Sequence, residues 1–417
     1  MVSRGVISSV NRPRRIGLIM QGGAGWVGGS EYIRNLVLAF GQLPTEERAG
    51  YELCLISGTP LEPALARQLE CHVARSYTLS TDLPLATLPN RARWLMDRHL
   101  RGQPNTRFAE FVSAASLDFL YPLTYDNQYN IGVALPLGKA LGNGRWAGWI
   151  PDFQHRFMPE LFSVAEIAKR DAGIGILARE AGTIVFSSES AAEDFRRFYP
   201  ETGARAKVLH FRTHPDCAWF ESDPLQVQQR FHLPDDFFLV SNQFWQHKNH
   251  RTLFAALALL RKRGLKPALV CTGQTSDFRK KDYFNILLRQ IHESGIASQV
   301  FVLGLIDRTE QIQLMRRSLA VIQPSLFEGW STVLEDARAL GKIVLASDIA
   351  VHREQNPPGV RFFARDSPEA LADAIAVMLP ECVAGPNSAG EAAARATAER
   401  AMLKYGRDFL GMIEGSL

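Results

Sequence analysis

Short apolar runs punctuate this chain, and most are followed by a stretch whose apolar residues recur at helical spacing. Residues 16–20, 52–56, 117–122, 181–187, 237–240, 269–272, 300–303, 319–323 and 343–346 read as buried strands, and Trp149-Ile150 closes another. Between them, 61–69, 91–100 and the tail from about 391 to 413 follow a helical pattern. Leu253, Ala256, Leu257 and Leu260 mark a further helix, with Asn249 placed to cap it. The clearest unit is LAVIQPSLFEGWSTVLEDARALGKIVLASD, 319–348. Its strand is stopped by Pro324, a polar turn follows, and Val333, Leu334, Ala337 and Leu340 form a helical face. Gly341 closes that helix before the next strand. Strand, loop, helix and strand repeated in this way predict parallel sheets covered by helices, an α/β fold.

Length turns this into two domains, because 417 residues exceed what one core usually serves. Residues 215–236, with Pro215, Pro224, Pro234 and several charges, read as the linker, giving domains 1–215 and 225–399. A composition 46% apolar and 22% charged, with net charge +4, is that of an ordinary globular chain and gives no sign of a nucleic-acid partner. Arg4, Arg12, Arg14 and Arg15 crowd the N-terminus and suit either a solvated leader or contact with anionic lipid. No apolar run approaches the ~20 residues that span a bilayer, and no signal peptide is evident. Cysteines 54, 71, 217, 271 and 382 are scattered without a Cys-x-x-Cys, which fits reduced thiols and a cytoplasmic location.

Candidate chemistry gathers where strands end, the place at which open α/β sheets bind ligands. After 319–323 come Glu328 in the turn and Glu335 and Asp336 in the helix; Gly329, Trp330, Ser331 and Thr332 lie between, offering backbone N–H groups to an anion such as a diphosphate. Thr332-x-x-Glu335 also fits a capping box, which would make Glu335 structural. Lys248 stands at the junction after 237–240, where a cation can neutralise phosphate. After Trp149-Ile150, Asp152 and His155 sit among aromatic residues, a combination that suits a sugar's hydroxyls and C–H faces. Gly23-x-Gly25-x-x-Gly28 satisfies the dinucleotide fingerprint, but strand 52–56 ends in Ser57-Gly58-Thr59 without the acid that would hold a nicotinamide cofactor's ribose. The polar, aromatic stretch from Tyr125 is a surface loop or an acceptor lining. His210-x-x-x-His214 lacks a third ligand, so no metal is expected.

The segment PSLFEGWSTVLEDARALGKIVLASD resembles the Glu-x7-Glu signature of retaining glycosyltransferases of family four, with Glu328 first and Asp336 at the second acidic position. That resemblance implies a GT-B fold: two Rossmann-like domains facing a cleft, the final helix, about 400–417, packing back on the first. It implies that Glu328 holds the donor sugar and Asp336 the nucleotide ribose. It places Lys248 on the diphosphate, and His155, in a Trp-x-x-Asp-x-x-His segment, near the reacting sugar. Gly28 and Gly29 match the family's Gly-rich loop facing the phosphates, and Ser187 its serine-rich turn. The loops at Gly273-Gln274 and Gly304 fall where the family holds the base. Members often carry an arginine five or six residues before the lysine, where this chain has Gln243 and Asn242.

The expected activity is therefore transfer of a hexose from a nucleotide-diphosphate sugar, the co-substrate, to a hydroxyl on a glycan or lipid-linked acceptor. No separate cofactor is expected, and the site of work is the cytoplasm, possible membrane contact included. A nucleotide-sugar epimerase of the same fold, or a non-catalytic nucleotide-sugar-binding subunit, are the alternatives.

Overall fold

The computed structural model describes residues 12–22, 27–83, 96, 105–125, 141, 145–277 and 279–416. All but Met96 of the helix expected over 91–100, most of the stretch after Tyr125, and Gly23 and Gly25 lie outside the described residues.

Among the described residues, thirteen strands form two sheets. The first contains β1 (Arg14–Ile19), β2 (Tyr51–Ser57), β3 (Arg75–Thr78), β4 (Phe119–Leu123), β5 (Trp146–Ile150), β6 (Thr183–Phe186) and β7 (Arg205–Val208), in the order β3-β2-β1-β4-β5-β6-β7. The second contains β8 (Phe237–Ser241), β9 (Ala268–Thr272), β10 (Val300–Gly304), β11 (Val321–Gln323), β12 (Val344–Ser347) and β13 (Arg361–Phe363), in the order β10-β9-β8-β11-β12-β13. Every recorded pairing is parallel. Parallel strands carry helices on both faces, which is why the central ones are apolar throughout rather than alternating: β4, β5, β6, β8, β11 and β12 are buried at every position.

Both sheets have the order of a Rossmann-like domain. Each therefore has a topological switch point, between β1 and β4 in the first and between β8 and β11 in the second. Connections leave opposite faces there, so a crevice opens beyond the carboxyl ends of the strands. The loops expected to carry chemistry leave β1, β5, β8 and β11, and this topology sets them at two facing crevices.

Residues 209–236 are more than a tether. Helices Cys217–Glu221 and Pro224–Arg230 interrupt them. Trp219 is buried in the second domain's core, and the Arg316 Nη1 donates to the carbonyls of Trp219 (2.7 Å) and Ser222 (2.9 Å). The last helix, Ser388–Glu414, returns to the first domain. Its Met402, Tyr405, Phe409, Met412 and Ile413 join the core beneath helix Val27–Gln42. Gly406 permits that contact: a Cβ there would stand 2.7 Å from the Ala39 carbonyl oxygen. Tyr51 Oη donates to Glu414 at 2.5 Å and Arg407 pairs with Glu47 at 2.8 Å, closing the seam with polar contacts at its rim.

Candidate functional site

Between the domains lies a cavity of about 710 Å³, bordered by loops from both sheets. Lys248 ends a short 3-10 turn after β8, and Glu328 follows β11. Since β8 and β11 pair directly, two residues far apart in sequence meet: Lys248 Nζ donates to Glu328 Oε1 at 2.6 Å. The same oxygen accepts from Ser325 Oγ (2.7 Å) and Gln323 Nε2 (2.9 Å). Burial raises the carboxyl pKa of Glu328, but Lys248 with His247 and His352 outweighs it and the net shift is downward. The residue is thus an anion aimed into the cavity, a hydrogen-bond acceptor fit for a hydroxyl.

Two glycines let the walls come this close. A Cβ on Gly329 would sit 2.4 Å from the Pro151 carbonyl oxygen, so the turn after Glu328 touches the opposite domain through bare backbone. Gly273 has φ +128°, and a Cβ there would stand 2.3 Å from the Asn242 carbonyl oxygen, in the wall formed by the β8 and β9 loops.

Of the residues anticipated from sequence, Gly28, Asp152, Ser187, Asn242, Gln243, Lys248, Gly273, Glu328, Gly329, Trp330, Ser331 and Thr332 border the cavity together. Gly28 and Gly29 belong to the first turn of helix Val27–Gln42 rather than to a loop, and only Gly28 reaches the lining. Gln274 and Gly304 are set back from it; Leu305, Ile306 and Asp307 take the place expected of Gly304. Trp330 lines the cavity while its Nε1 donates to the Phe211 carbonyl at 3.1 Å and its ring stacks on His210.

Both acidic neighbours depart from expectation. The N-cap of helix Thr332–Ala339 is Ser331, whose Oγ accepts from Leu334 N at 3.3 Å, so Thr332 and Glu335 form no capping box. Glu335, 1% exposed, instead accepts from Arg212 Nη1 (3.0 Å) and Gln355 Nε2 (3.1 Å), with Arg338 at 3.3 Å. Asp336, also 1% exposed, does not border the cavity. It accepts from the two terminal nitrogens of the Arg308 guanidinium, Nη2 at 2.6 and Nη1 at 2.7 Å, and from the Thr213 hydroxyl at 3.0 Å. Arg308 is what lines the cavity. The Ser331 N–H, counted above among the anion donors, goes to Gln355 Oε1 at 2.9 Å.

His155 is likewise one layer back. It is 1% exposed, and its Nε2 meets Asp171 Oδ1 at 2.9 Å, while Gln154 and Asp152 form the adjoining wall. Burial lowers its pKa despite Asp171, so it is a neutral ring at physiological pH. Asn249 adopts φ +59° and caps nothing; its Nδ2 donates to the carbonyls of Pro324 (3.1 Å) and Arg365 (3.3 Å), tying the β8 loop to the β11 loop.

His247 and His250, beneath Lys248, are buried. Burial, with Lys248 adding to it, pushes each down to about 3. An unfolded histidine titrates near ~6.5, so below that pH the unfolded chain binds protons that the folded chain does not. Stability is then full at neutral pH and falls as pH drops, by up to ~1.4 kcal/mol per pH unit for each histidine. Urea unfolding at pH 7.5 and 5.5 measures this; His250→Phe should reduce the difference, and equal stability at both pH values refutes the assignment.

Several cavity residues gave no sequence signal. Arg170, Arg279 and Arg308 are arginines in helices or polar loops, where a solvated role is the usual one; only the fold shows that they border the cleft. Among the described residues, no group of three or more His, Cys, Asp or Glu could hold a metal ion, and no helix is long and apolar enough to cross a membrane.

The profile of the family Glycosyl transferases group 1 matches residues 222–394. No curated protein matches the chain by sequence. Solved structures match its whole length. Anabaena HepE in complex with UDP and glucose is 17% identical, covers 97% of this chain and 100% of its own, with TM-score 0.63. A glycosyltransferase from Rickettsia africae is 14% identical over 97% of this chain and 99% of its own, with TM-score 0.62. Sucrose-phosphate synthase from Thermosynechococcus elongatus is 17% identical over 96% and 97%, with TM-score 0.61. The fold is accordingly GT-B, and with a Glycosyl transferases group 1 domain over 222–394 the chain is a glycosyltransferase.

Proposed function

We propose that this enzyme transfers a hexose, with retention of anomeric configuration, from a nucleotide-diphosphate sugar to a hydroxyl of a glycan or lipid-linked acceptor. The setting would be assembly of cell-surface polysaccharide or glycoconjugate on the cytoplasmic side of a membrane. The observation that carries the reading is the Lys248–Glu328 pair, 2.6 Å apart at the switch point of the second sheet and facing the interdomain cavity. That the related HepE fold was captured with UDP and glucose supports the same class of donor.

In this reading the donor lies in the second domain's crevice with its sugar toward the first. Glu328, held ionised, accepts a hydrogen bond from a sugar hydroxyl and fixes the ring. Lys248 turns from Glu328 to the diphosphate as negative charge develops there when the glycosidic bond breaks. Arg308, oriented by Asp336, contacts the nucleotide where direct contact from Asp336 was anticipated. Asp152 and Gln154 face the acceptor side. His155 acts through the wall, its ring positioning the Asp152 loop and the Asp171 carboxylate.

A lysine and the backbone N–H groups of Gly329, Trp330 and Thr332 can neutralise the departing phosphate without a divalent ion. Incubation with a panel of nucleotide sugars, followed by nucleotide release, is expected to single out one donor. Transfer from that donor should persist after exhaustive chelation and gain less than about twofold from added magnesium or manganese. Activity that disappears on chelation and returns with one metal would overturn the metal-free part; no turnover or protection with any donor would overturn the whole.

A further inference from the structure

Helix Ala350–Gln355, which follows β12, ends on two residues that reach in different directions. Glu354 reaches the first domain. Its Oε1 accepts from Glu189 N at 2.7 Å and its Oε2 from Ser190 N at 3.2 Å, so it takes two N–H groups at the start of helix Glu189–Phe198. Ser188 Oγ takes a third, from Ala191 N at 3.1 Å. A helix N-terminus leaves such donors without intrahelical partners and favours negative charge; here that charge comes from the other domain. His210, which the sequence pairs with His214 at a metal-like spacing, completes the contact: its Nε2 meets the same Oε1 at 2.7 Å. Burial raises the Glu354 carboxyl pKa, but His210 and the Glu189 and Ser190 N–H groups outweigh it and the net shift is downward. Glu354 is thus an anion that accepts all three bonds.

Gln355 reaches the cavity turn instead. Its Oε1 accepts from Ser331 N and its Nε2 donates to Ser331 O, both at 2.9 Å, a two-point hold on the backbone next to Trp330. His210 supplies a second route to the same turn. Its ring stacks on that of Trp330, with centroids 4.8 Å apart and 20° between the planes. Trp330 and Ser331 border the cavity, and Ser187, two residues before Glu189, borders it from the first domain. One carboxylate therefore links the seating of the two domains to the turn that follows Glu328, through its chain neighbour on one side and an imidazole on the other. Neither Glu354 nor His210 borders the cavity, so any effect they have on the reaction passes through that turn.

We propose that Glu354 and His210 are positioning residues, which hold the Trp330–Ser331 turn against the cavity while helix Glu189–Phe198 is seated on Glu354. Parting the domains would strip the carboxylate of its three donors and take the imidazole off Trp330. The turn is then complete in the docked arrangement and loosened outside it. Its bearing on catalysis rests on the nucleotide-sugar reading of the cavity; the coupling between seam and turn does not.

Hydrogen–deuterium exchange of the ligand-free protein tests that coupling without a donor. In Glu354→Ala the amides of 187–192 and of 328–334 are both expected to exchange ~10–100-fold faster, the usual worth of hydrogen bonds to a charged group, while those of β8 keep wild-type rates and show the fold intact. A contact that only braces the seam would loosen 187–192 alone, and that result overturns the proposal. His210→Phe keeps the stack on Trp330 without the bond to Glu354, and His210→Ala loses both, so Ala should loosen 328–334 more than Phe. Wild-type rates at 328–334 in His210→Ala would remove His210 from the path. With the donor chosen by the nucleotide-sugar panel, Glu354→Ala should lower kcat by ~10-fold or more per folded molecule, and Glu354→Gln, which keeps one accepting oxygen, should recover part of the loss. Wild-type kcat and KM in Glu354→Ala would overturn the positioning role and leave the donor reading standing. Exchange that spreads to 328–334 in a protein that turns over no donor would sustain the coupling and remove the donor reading.

Discussion

Lys248→Ala is expected to lower turnover at saturating donor by at least ~100-fold, since one preorganised electrostatic stabiliser of a developing charge is worth ~2.7–4 kcal/mol. The structure adds a second component. Lys248 is the principal group that keeps the buried Glu328 carboxyl ionised, so its loss lets burial push that pKa upward. The variant should therefore show a lower kcat and an acid limb of its pH–rate profile displaced to higher pH. Lys248→Arg, which keeps the charge, should retain the position of that limb while recovering only part of kcat. In the double variant Lys248→Ala/Glu328→Gln the displaced limb should vanish, because no carboxyl remains to titrate. Steady-state kinetics from pH 5 to 9 decide this, with near-normal kcat in Lys248→Ala as the result that excludes the assignment. If kcat falls and the limb stays in place, Lys248 acts on the phosphate alone.

How far the sequence could lead to this site depended on whether a residue's neighbours were local. Strands came through because a parallel sheet buried on both faces leaves continuous apolar runs, as in 319–323 and 343–346, which the structure forms as β11 and β12. That Lys248 and Glu328 border the cavity is legible because each sits beyond the carboxyl end of a strand, a position recognisable without knowing its partner. Helix 332–339 was recognised too, but its start was placed one residue late. Ser331 and Thr332 are both competent caps, and what selects Ser331 is the grip of Gln355 on its backbone, invisible from within the segment. His155 was expected at the cavity wall; its partner Asp171 lies on the following helix and draws the ring inward. Asn249 looked like a cap and is a tether between two loops. Arg170, Arg279 and Arg308 could not be singled out at all, because an arginine in a polar stretch carries no mark of the cleft it faces.

The two adjacent acids of helix Thr332–Ala339 should fail in different ways. Glu335→Ala removes the acceptor shared by Arg212, Arg338 and Gln355, leaving cationic groups at a nearly closed seam without their counter-charge. Breaking a buried pair from one side costs ~3–5 kcal/mol; the Arg212 side chain is 25% and that of Arg338 21% exposed, so the lower end is expected. That exceeds the ~0.5–2 kcal/mol of a helix cap, and nucleotide affinity in the folded fraction should match wild type. Asp336→Asn should behave differently. The amide can still accept from Thr213 and from one nitrogen of Arg308, so the fold is disturbed less. The guanidinium, however, loses the two-point hold that aims it at the cavity. Nucleotide binding should weaken, and Arg308→Gln should weaken it by a similar factor. Because both changes break the same contact, the double variant should be no worse than either single one, whereas independent contacts would multiply. Urea unfolding of the Glu335 variant and calorimetric titration of the Arg308/Asp336 cycle supply the numbers. Additive losses in that cycle would mean that Asp336 reaches the nucleotide by itself. A Glu335 variant of normal stability with a large affinity loss would move the ribose contact to Glu335.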